Sequence, residues 1–227
     1  MPQFRHLFPE NTAKTERYIF AKEARGAEFK VPPRDDRPTH GGRLIQETES
    51  AAQLAQQAAR QLPAERLPKG MVLEFLSDPR FKLKLQSLEI RRSGIELCSS
   101  RVDERGVMHA AVFVPEGKAG LFVRKFEAYV EQVAGKRDNR EFVESITAVR
   151  QAALEAFWTD AGEFPQNPDE RHDWEVWLRE RTNPHDASRQ FRDAAATAGI
   201  TVSPREIRFP ERRVLLVRAS APTRNES

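Results

Sequence analysis

Residues 94–114, GIELCSSRVDERGVMHAAVFV, contain two runs with strand character joined by a polar turn. In the first run Ile95 and Leu97 alternate with polar residues, and in the second run residues 108–114 are apolar except for His109. The intervening residues 103–106 (DERG) have the composition of a tight connection between strands. We therefore predict a β-hairpin here, and with it a mostly antiparallel sheet.

Other segments extend this pattern on both sides. Residues 71–77 (MVLEFLS) predict a buried strand, whereas residues 81–88 fit a strand and a helix equally well. The spacing of apolar residues predicts helices over 119–133 and 139–158, and Asp186 is a candidate N-cap for a further helix. Additional strands are expected over residues 174–179, 200–202, 206–209 and 213–219.

This order of elements predicts an α+β fold in which helices pack on a mostly antiparallel sheet. The ferredoxin-like arrangement is the simplest topology of this kind. An α+β domain over residues 63–219 would contain two sub-units, 71–133 and 174–219, linked by the helix over 139–158.

Both ends of the chain are predicted to lie outside that domain. Residues 1–42 contain scattered apolar residues and a segment rich in Pro and Gly, which is typical of a flexible arm. An Ala/Gln-rich stripe predicts a helix over 43–62, and residues 220–227 are predicted to form a flexible tail. On this interpretation, deleting the arm leaves the melting temperature nearly unchanged.

Composition and charge narrow the classes of function. The chain has 227 residues and a net charge of +3, distributed as +3 over residues 1–43, -3 over 44–202 and +3 over 203–227. A nucleic-acid-binding domain usually concentrates positive charge on one folded face, so this distribution argues against that role. No segment approaches the ~18 apolar residues of a membrane span, and no signal peptide is recognisable at the start. We expect a soluble cytoplasmic protein without a membrane partner.

The sequence contains no recognisable catalytic constellation. A single cysteine, Cys98, excludes a disulfide within the chain and a Cys-based zinc site. The five histidines are expected to be solvated or structural: His6, His40, His109, His172 and His185. We predict no cofactor and no metal, and we do not expect the chain alone to be an enzyme.

One aromatic residue lies on an otherwise polar strand face. In residues 174–179, Trp177 is predicted to share a face with Glu175 and Arg179, opposite the apolar face of the strand. Such a tryptophan is either covered by a helix or marks a surface for a partner. The candidate partner surface comprises Trp177, Glu175, Arg179, Arg218, Arg34 and Arg37.

Short motifs occur in a distinctive order along most of the chain. They are Arg34-Asp35-Asp36-Arg37 with His40-Gly41, Leu73-Glu74-Phe75, Phe81-Lys82-Leu83, Leu88-Glu89, Gly94-Ile95-Glu96-Leu97, Val112-Phe113-Val114-Pro115, Arg124-Lys125-Phe126, residues 152–160 (AALEAFWTD), Trp174-Glu175-Val176-Trp177-Leu178 and residues 209–218 (FPERRVLLVR). Over residues 30–219 this order resembles the non-catalytic N-terminal region of large bacterial subtilisin-like serine peptidases (subtilases).

The resemblance implies a regulatory or propeptide-like module that acts by protein–protein contact, through inhibition, folding assistance or partner docking. Propeptides of subtilases are ferredoxin-like domains that lay a sheet against two helices of the enzyme. The implied partner is the peptidase domain of a subtilisin-like protease, in cis or in trans, and some of these peptidases work beside an AAA-type ATPase.

The resemblance does not assign the catalytic residues of that family to this chain. Its signatures Asp-Thr/Ser-Gly, His-Gly-Thr and Gly-Thr-Ser-x-Ala do not occur here, so no residue is assigned a catalytic role. The alternative function is a ferredoxin-like nucleic-acid-binding module.

Overall fold

The computed structural model describes residues 29–60, 70–132, 139–159, 164–165, 167, 169–179, 186–210 and 212–220. The chain divides into two compact units, Met1–Thr159 and Asp160–Ser227, and each contains its own antiparallel sheet. The predicted α+β class is therefore confirmed at the level of two antiparallel sheets with several helices. Among the described residues no helix has the length and apolar character needed to cross a membrane.

The first unit has a four-stranded sheet in the order β2-β3-β1-β4, with every neighbouring pair antiparallel. Its strands are β1 (Gly70–Leu76), β2 (Glu96–Val102), β3 (Met108–Pro115) and β4 (Ala148–Gln151). Its helices are α1 (Arg37–Arg60), α2 (Leu85–Leu88), α3 (Gly120–Glu131) and α4 (Arg140–Glu144). The predicted hairpin is confirmed as β2–β3, and its turn is held by Asp103, whose Oδ1 accepts hydrogen bonds from the backbone N–H groups of Arg105 and Val107.

The core of this unit lies between one face of the sheet and helices α1 and α3. Leu73 and Phe75 of β1 are fully buried, and α3 contributes Phe122, Phe126 and Tyr129 to the same apolar cluster. The rings of Phe75 and Phe122 lie 5.0 Å apart between centroids. Sheet and helices are therefore joined by large apolar side chains, as expected of a two-layer α+β unit.

Helix α1 begins at Arg37, so the predicted flexible arm is wrong for residues 37–42. Asp36 caps the helix, because its Oδ1 accepts a hydrogen bond from the Thr39 N–H at 3.0 Å and its Oδ2 accepts one from the Thr39 hydroxyl at 2.6 Å. Pro38 is tolerated in the first turn, where its missing N–H has no intrahelical partner to lose. A Cβ at Gly41 would lie 2.4 Å from Cγ2 of Val130, so glycine permits the close approach of α1 to α3.

Parts of the predicted arm, helix and tail cannot be compared with the structure. Residues 1–28 of the arm, 61–62 of the helix and 221–227 of the tail lie outside the described residues, as do His6 and His185.

The helix predicted over residues 139–158 is wrong beyond α4. The hydroxyl of Ser145 donates a hydrogen bond to the carbonyl of Phe142 at 2.7 Å, and the chain leaves the helix at this point. Residues 148–151 then pair with β1 as strand β4, and a short 3-10 turn follows at Leu154–Phe157. Residues 139–159 therefore complete the first unit and do not link two sub-units as a helix.

The second unit contains β5 (Arg171–Arg179), α5 (Asp186–Thr197), β6 (Thr201–Arg208) and β7 (Arg212–Ser220). Its antiparallel sheet has the order β5-β7-β6, so the last strand is central. The two short extended segments predicted over 200–209 form the single strand β6, whose pairing is irregular between Val202 and Glu206.

Helix α5 packs on one face of this second sheet. Leu215 and Val217 of β7 are buried, and Ala195 of the helix is buried as well. An ion pair at 3.7 Å joins Arg192 of α5 to Glu206 of β6, and Arg192 also donates a hydrogen bond to the carbonyl of Ser203 at 2.6 Å. These contacts fix which face of the sheet the helix covers.

Candidate functional site

The face of the second sheet that turns away from α5 carries apolar side chains. In the strand register, Val214 of the central strand lies opposite Trp177 of β5 on one side and Ile207 of β6 on the other. Leu216 lies two residues further along the central strand and therefore projects from the same face. We call this surface the aromatic face and define it by Trp177, Ile207, Phe209 and Leu216.

These four side chains are unusually exposed for their size. The exposed fractions are 54% for Trp177, 61% for Ile207, 45% for Phe209 and 48% for Leu216, whereas Val214 between the strands is buried. The rings of Trp177 and Phe209 are stacked, with centroids 5.7 Å apart and planes inclined by 11°. Contiguous exposed apolar side chains of this kind often mark interaction sites, whereas single exposed apolar residues are normal on protein surfaces.

Charged residues of β5 and β7 border the aromatic face. The indole N–H of Trp177 donates a hydrogen bond to Oε2 of Glu175 at 3.3 Å. Arg218 forms an ion pair with Asp173 at 3.7 Å, and Arg179 lies directly opposite Arg212 in the register. Four of the residues that the sequence nominated as a partner surface are thus on one sheet: Trp177, Glu175, Arg179 and Arg218.

The other two nominated residues, Arg34 and Arg37, belong to the first unit and have structural contacts. The side chain of Arg34 is only 14% exposed, and its Nη2 lies 2.5 Å from Oδ2 of Asp78 and 3.0 Å from the carbonyl oxygen of Glu144. Arg37 donates a hydrogen bond to the carbonyl of Tyr129 at 3.1 Å, and its guanidinium lies over the Tyr129 ring. Their assignment to a partner surface is therefore corrected, because both guanidinium groups are committed to the interior of this unit.

A buried charged cluster in the first unit was not predicted. Glu74 is 1% exposed, and its carboxylate contacts His109 Nδ1 at 2.8 Å and Arg150 Nε at 2.5 Å. The other ring nitrogen of His109 lies 3.2 Å from a carboxylate oxygen of Asp103. Because carboxylate oxygens only accept hydrogen bonds, the ring of His109 bridges two acceptors, Glu74 and Asp103, across the edge of the buried cluster.

The pKa shifts of Glu74 and Asp103 indicate that this cluster stabilises the fold. Burial raises the pKa of Glu74, but hydrogen bonds and charge from His109 and Arg150 outweigh it, so the pKa lies below its ordinary value. For Asp103, hydrogen bonds from the Val107 backbone and from His109 likewise outweigh desolvation and lower the pKa. The sequence signals for the cluster were one ionisable residue in each of two apolar strands, Glu74 in residues 71–77 and His109 in residues 108–114.

The structure also describes His40, His172 and Cys98. His40 is buried, its Nε2 donates a hydrogen bond to the carbonyl of Val143 at 3.2 Å, and its Nδ1 accepts one from Arg43 at 3.3 Å. Cys98 is exposed on the edge strand β2, and His172 lies 3.9 Å from Glu170. In the part of the chain that the structure describes, no three His, Cys, Asp or Glu residues are grouped as a metal would require.

Comparison with known proteins gives no assignment. No family model, no curated protein and no solved structure matches this chain. The case for a function therefore depends on the aromatic face and on the order of motifs in the sequence.

Proposed function

We propose that this chain is a non-catalytic regulatory module of a subtilisin-like serine protease, and that it binds the peptidase domain through the aromatic face. The observation that carries the proposal is the exposure of Trp177, Ile207, Phe209 and Leu216 on the sheet face opposite α5. Covering exposed apolar side chains with a partner removes apolar surface from water, which is favourable. The resemblance in sequence supplies the class of the partner.

The chemistry of the face suits docking onto protein helices. Trp177 is a large and rigid side chain, held by stacking on Phe209, and tryptophan is among the commonest anchors of protein interfaces. The apolar centre supplies binding free energy, while charged residues at its border, such as Glu175 and Arg218, favour one orientation of the partner. This division between centre and border is typical of a binding surface rather than of a reaction site.

We also propose that the first unit is a variant of the ferredoxin-like arrangement. Its strand order has β1 and β3 in the centre and β2 and β4 at the edges, which is the order that two interleaved β-α-β units produce. The helix expected between β1 and β2 is reduced to the four residues of α2. Helix α1, which precedes β1, packs beside α3 and supplies the missing half of the helical layer.

A second candidate function is binding of single-stranded nucleic acid. Aromatic side chains displayed on a sheet beside arginines are the usual means of stacking unpaired bases and holding phosphates. Trp177 and Phe209, with Arg179 and Arg212 nearby, have that combination. Glu175, whose carboxylate lies against Trp177, opposes it because a carboxylate repels phosphate at the same surface.

The decisive experiment measures binding of the chain to a purified peptidase domain of the subtilase group that the sequence resembles. We expect Trp177→Ala to weaken binding about tenfold or more, since a central aromatic anchor is lost. Leu54→Ala, which removes an equally exposed apolar side chain from α1 of the first unit, is the matched control and should bind like the parent chain.

The same titration at rising salt separates the two candidates. Apolar docking onto the peptidase domain is expected to weaken little between about 50 and 200 mM salt, whereas binding to a single-stranded oligonucleotide would weaken steeply. Equal binding of the parent chain and Trp177→Ala, or no binding to the peptidase domain, would refute the proposed docking.

A further inference from the structure

The two edges of the second sheet are built differently. Strand β6 contains Pro204 and pairs irregularly with β7 between Val202 and Glu206, and both features hinder the addition of another strand. Strand β5 pairs with β7 over nine consecutive residues and contains neither a proline nor a bulge. Among the described residues β7 is its sole partner, so its other edge presents a regular row of backbone donors and acceptors.

The side chains of β5 are self-complementary when two copies run antiparallel. The face that carries Trp177 begins with Arg171, continues with the acidic residues Asp173 and Glu175, and ends with Arg179. The opposite face carries the apolar residues Trp174, Val176 and Leu178. Opposite charges and apolar pairs facing each other across strands are favourable, and an antiparallel copy brings the two halves together.

We propose that two copies of this chain associate through the edges of β5 that lie away from β7, in an antiparallel register centred on Val176, so that two three-stranded sheets join into one sheet of six strands. The partner is thus a second copy of the same chain. In this register Asp173 of each copy lies opposite Arg179 of the other, Trp174 lies opposite Leu178, and Val176 lies opposite its own copy.

Neighbouring registers are less favourable. Centring on Glu175 would pair that carboxylate with its copy and would place Arg171 opposite Arg179, so like charges would meet. Centring on Trp177 keeps an acidic residue opposite Arg179 but pairs only residues 175–179 within β5. The register centred on Val176 pairs residues 173–179 with complementary charge at both ends.

The carboxylate of Asp173 remains accessible in the monomer. Asp173 is 56% exposed although it lies 3.7 Å from Arg218, so one side of its carboxylate still faces solvent. The proposed contact uses the edge of β5, whereas the proposed docking uses the sheet face, and in this register Trp177 of each copy lies opposite Glu175 of the other.

A charge exchange tests the partner and the register together. Sedimentation velocity of the full chain should reveal a monomer–dimer equilibrium. Asp173→Arg and Arg179→Asp should each raise the dissociation constant about tenfold or more, because each variant places like charges opposite each other twice. An equimolar mixture of the two variants should recover parental association, since each strand then meets a complementary one.

Recovery in the mixture cannot be produced by misfolded variants, and the melting temperature of each variant provides a further check. A parent chain that stays monomeric at all concentrations tested would overturn the proposal. So would a mixture that associates no better than either variant alone.

A cross-link provides a second test of the register. With Cys98→Ser as background, Val176→Cys should form a cross-linked dimer rapidly under mild oxidation, because the two thiols would lie opposite each other near the symmetry axis. Leu216→Cys in the same background is the control, since Leu216 is exposed but lies on the central strand. Equal rates at the two positions would contradict the pairing.

Discussion

Trp177 and Phe209 stack with ring centroids 5.7 Å apart and planes inclined by only 11°. Trp177 belongs to β5, whereas Phe209 directly follows β6, and these two strands flank the central strand β7. The ring pair therefore spans β7 near Val214, which is buried. Because each ring remains about half exposed, the pair presents a preformed aromatic surface to solvent.

The first prediction concerns the energy of this stack. A double-mutant cycle with Trp177→Ala and Phe209→Ala, followed by urea denaturation, should give a coupling of about 0.5–1.5 kcal/mol, which is typical of aromatic pairs. Phe209→Leu is the matched control, because it keeps an apolar side chain and loses the stacked ring. Strictly additive effects would mean that the two rings do not support each other.

The second prediction concerns Arg34, which joins the start of the described chain to the end of α4. Its Nη2 contacts Asp78 and the carbonyl oxygens of Glu144 and Ile146. Arg34→Ala should lower the free energy of unfolding by about 2–4 kcal/mol, because it leaves a carboxylate and carbonyl groups without their cationic donor. Arg34→Lys should recover only part of this loss, since an ammonium group cannot reproduce the forked contacts of guanidinium. An unchanged melting temperature in Arg34→Ala would restore the interpretation of this segment as a dispensable arm.

The third prediction concerns pH. Burial is the main cause that lowers the pKa of His40 from its ordinary value of 6.5, and the charges of Arg34 and Arg43 act in the same direction, against the hydrogen bond to Val143 and the charge of Asp78. In the window below pH 6.5 the unfolded chain therefore binds a proton that the folded chain does not, so stability is complete above this pH and declines as pH falls.

His40→Gln is the control for that window. The variant should lose the pH dependence of the melting temperature that begins as pH falls below 6.5, while it keeps the loss of stability that carboxylates cause at lower pH. The lower window belongs to carboxylates such as Glu74, whose lowered pKa means that its stabilisation is lost only as pH falls below its ordinary value of 4.5. A variant with the same slope as the parent chain in the upper window would show that His40 is not responsible.

The fourth prediction concerns the buried charged cluster. Glu74→Ala removes the carboxylate that contacts both His109 and Arg150, and leaves the His109 ring with Asp103 as its remaining carboxylate contact. We expect a loss of about 3–5 kcal/mol in the free energy of unfolding, the usual cost of removing one partner from a buried ion pair. His109→Ala should be less harmful in the Glu74→Ala background than in the parent chain. Additive losses would contradict direct coupling between the two side chains.

Local patterns in the sequence were sufficient to predict much of the secondary structure. The hairpin β2–β3 and the strands of the second unit were predictable because turn residues and alternating apolar residues determine them over short distances. The helix over 139–158 was predicted wrongly because the spacing of its apolar residues fits two structures. One long helix would bury these residues, and so does a short helix followed by a strand. The buried residues are Phe142, Val143, Ile146 and Val149. The start of α1 was not predicted because proline and glycine are common in loops. Only the structure shows that Pro38 and Gly41 lie in the helix.

The candidate site could be predicted only in part. The alternation in β5 was enough to place Trp177 on a face with Glu175 and Arg179, but it left open whether a helix covers that face, and the structure shows Trp177 exposed. Its partner Phe209 could not be predicted, because the stack depends on the order β5-β7-β6 rather than on any local pattern. The cluster of Glu74, His109 and Arg150 was missed for the same reason, since the strand register alone brings these residues together.

The most direct test of the proposed function is a titration of this chain into a subtilisin-like peptidase domain while cleavage of a fluorogenic peptide is followed. We predict a saturable change in the rate of cleavage, with the parent chain effective and Trp177→Ala at least about tenfold less effective although it remains folded. A rate that is unaffected at all concentrations, together with the absence of binding, would contradict the account, as would equal potency of Trp177→Ala and the parent chain.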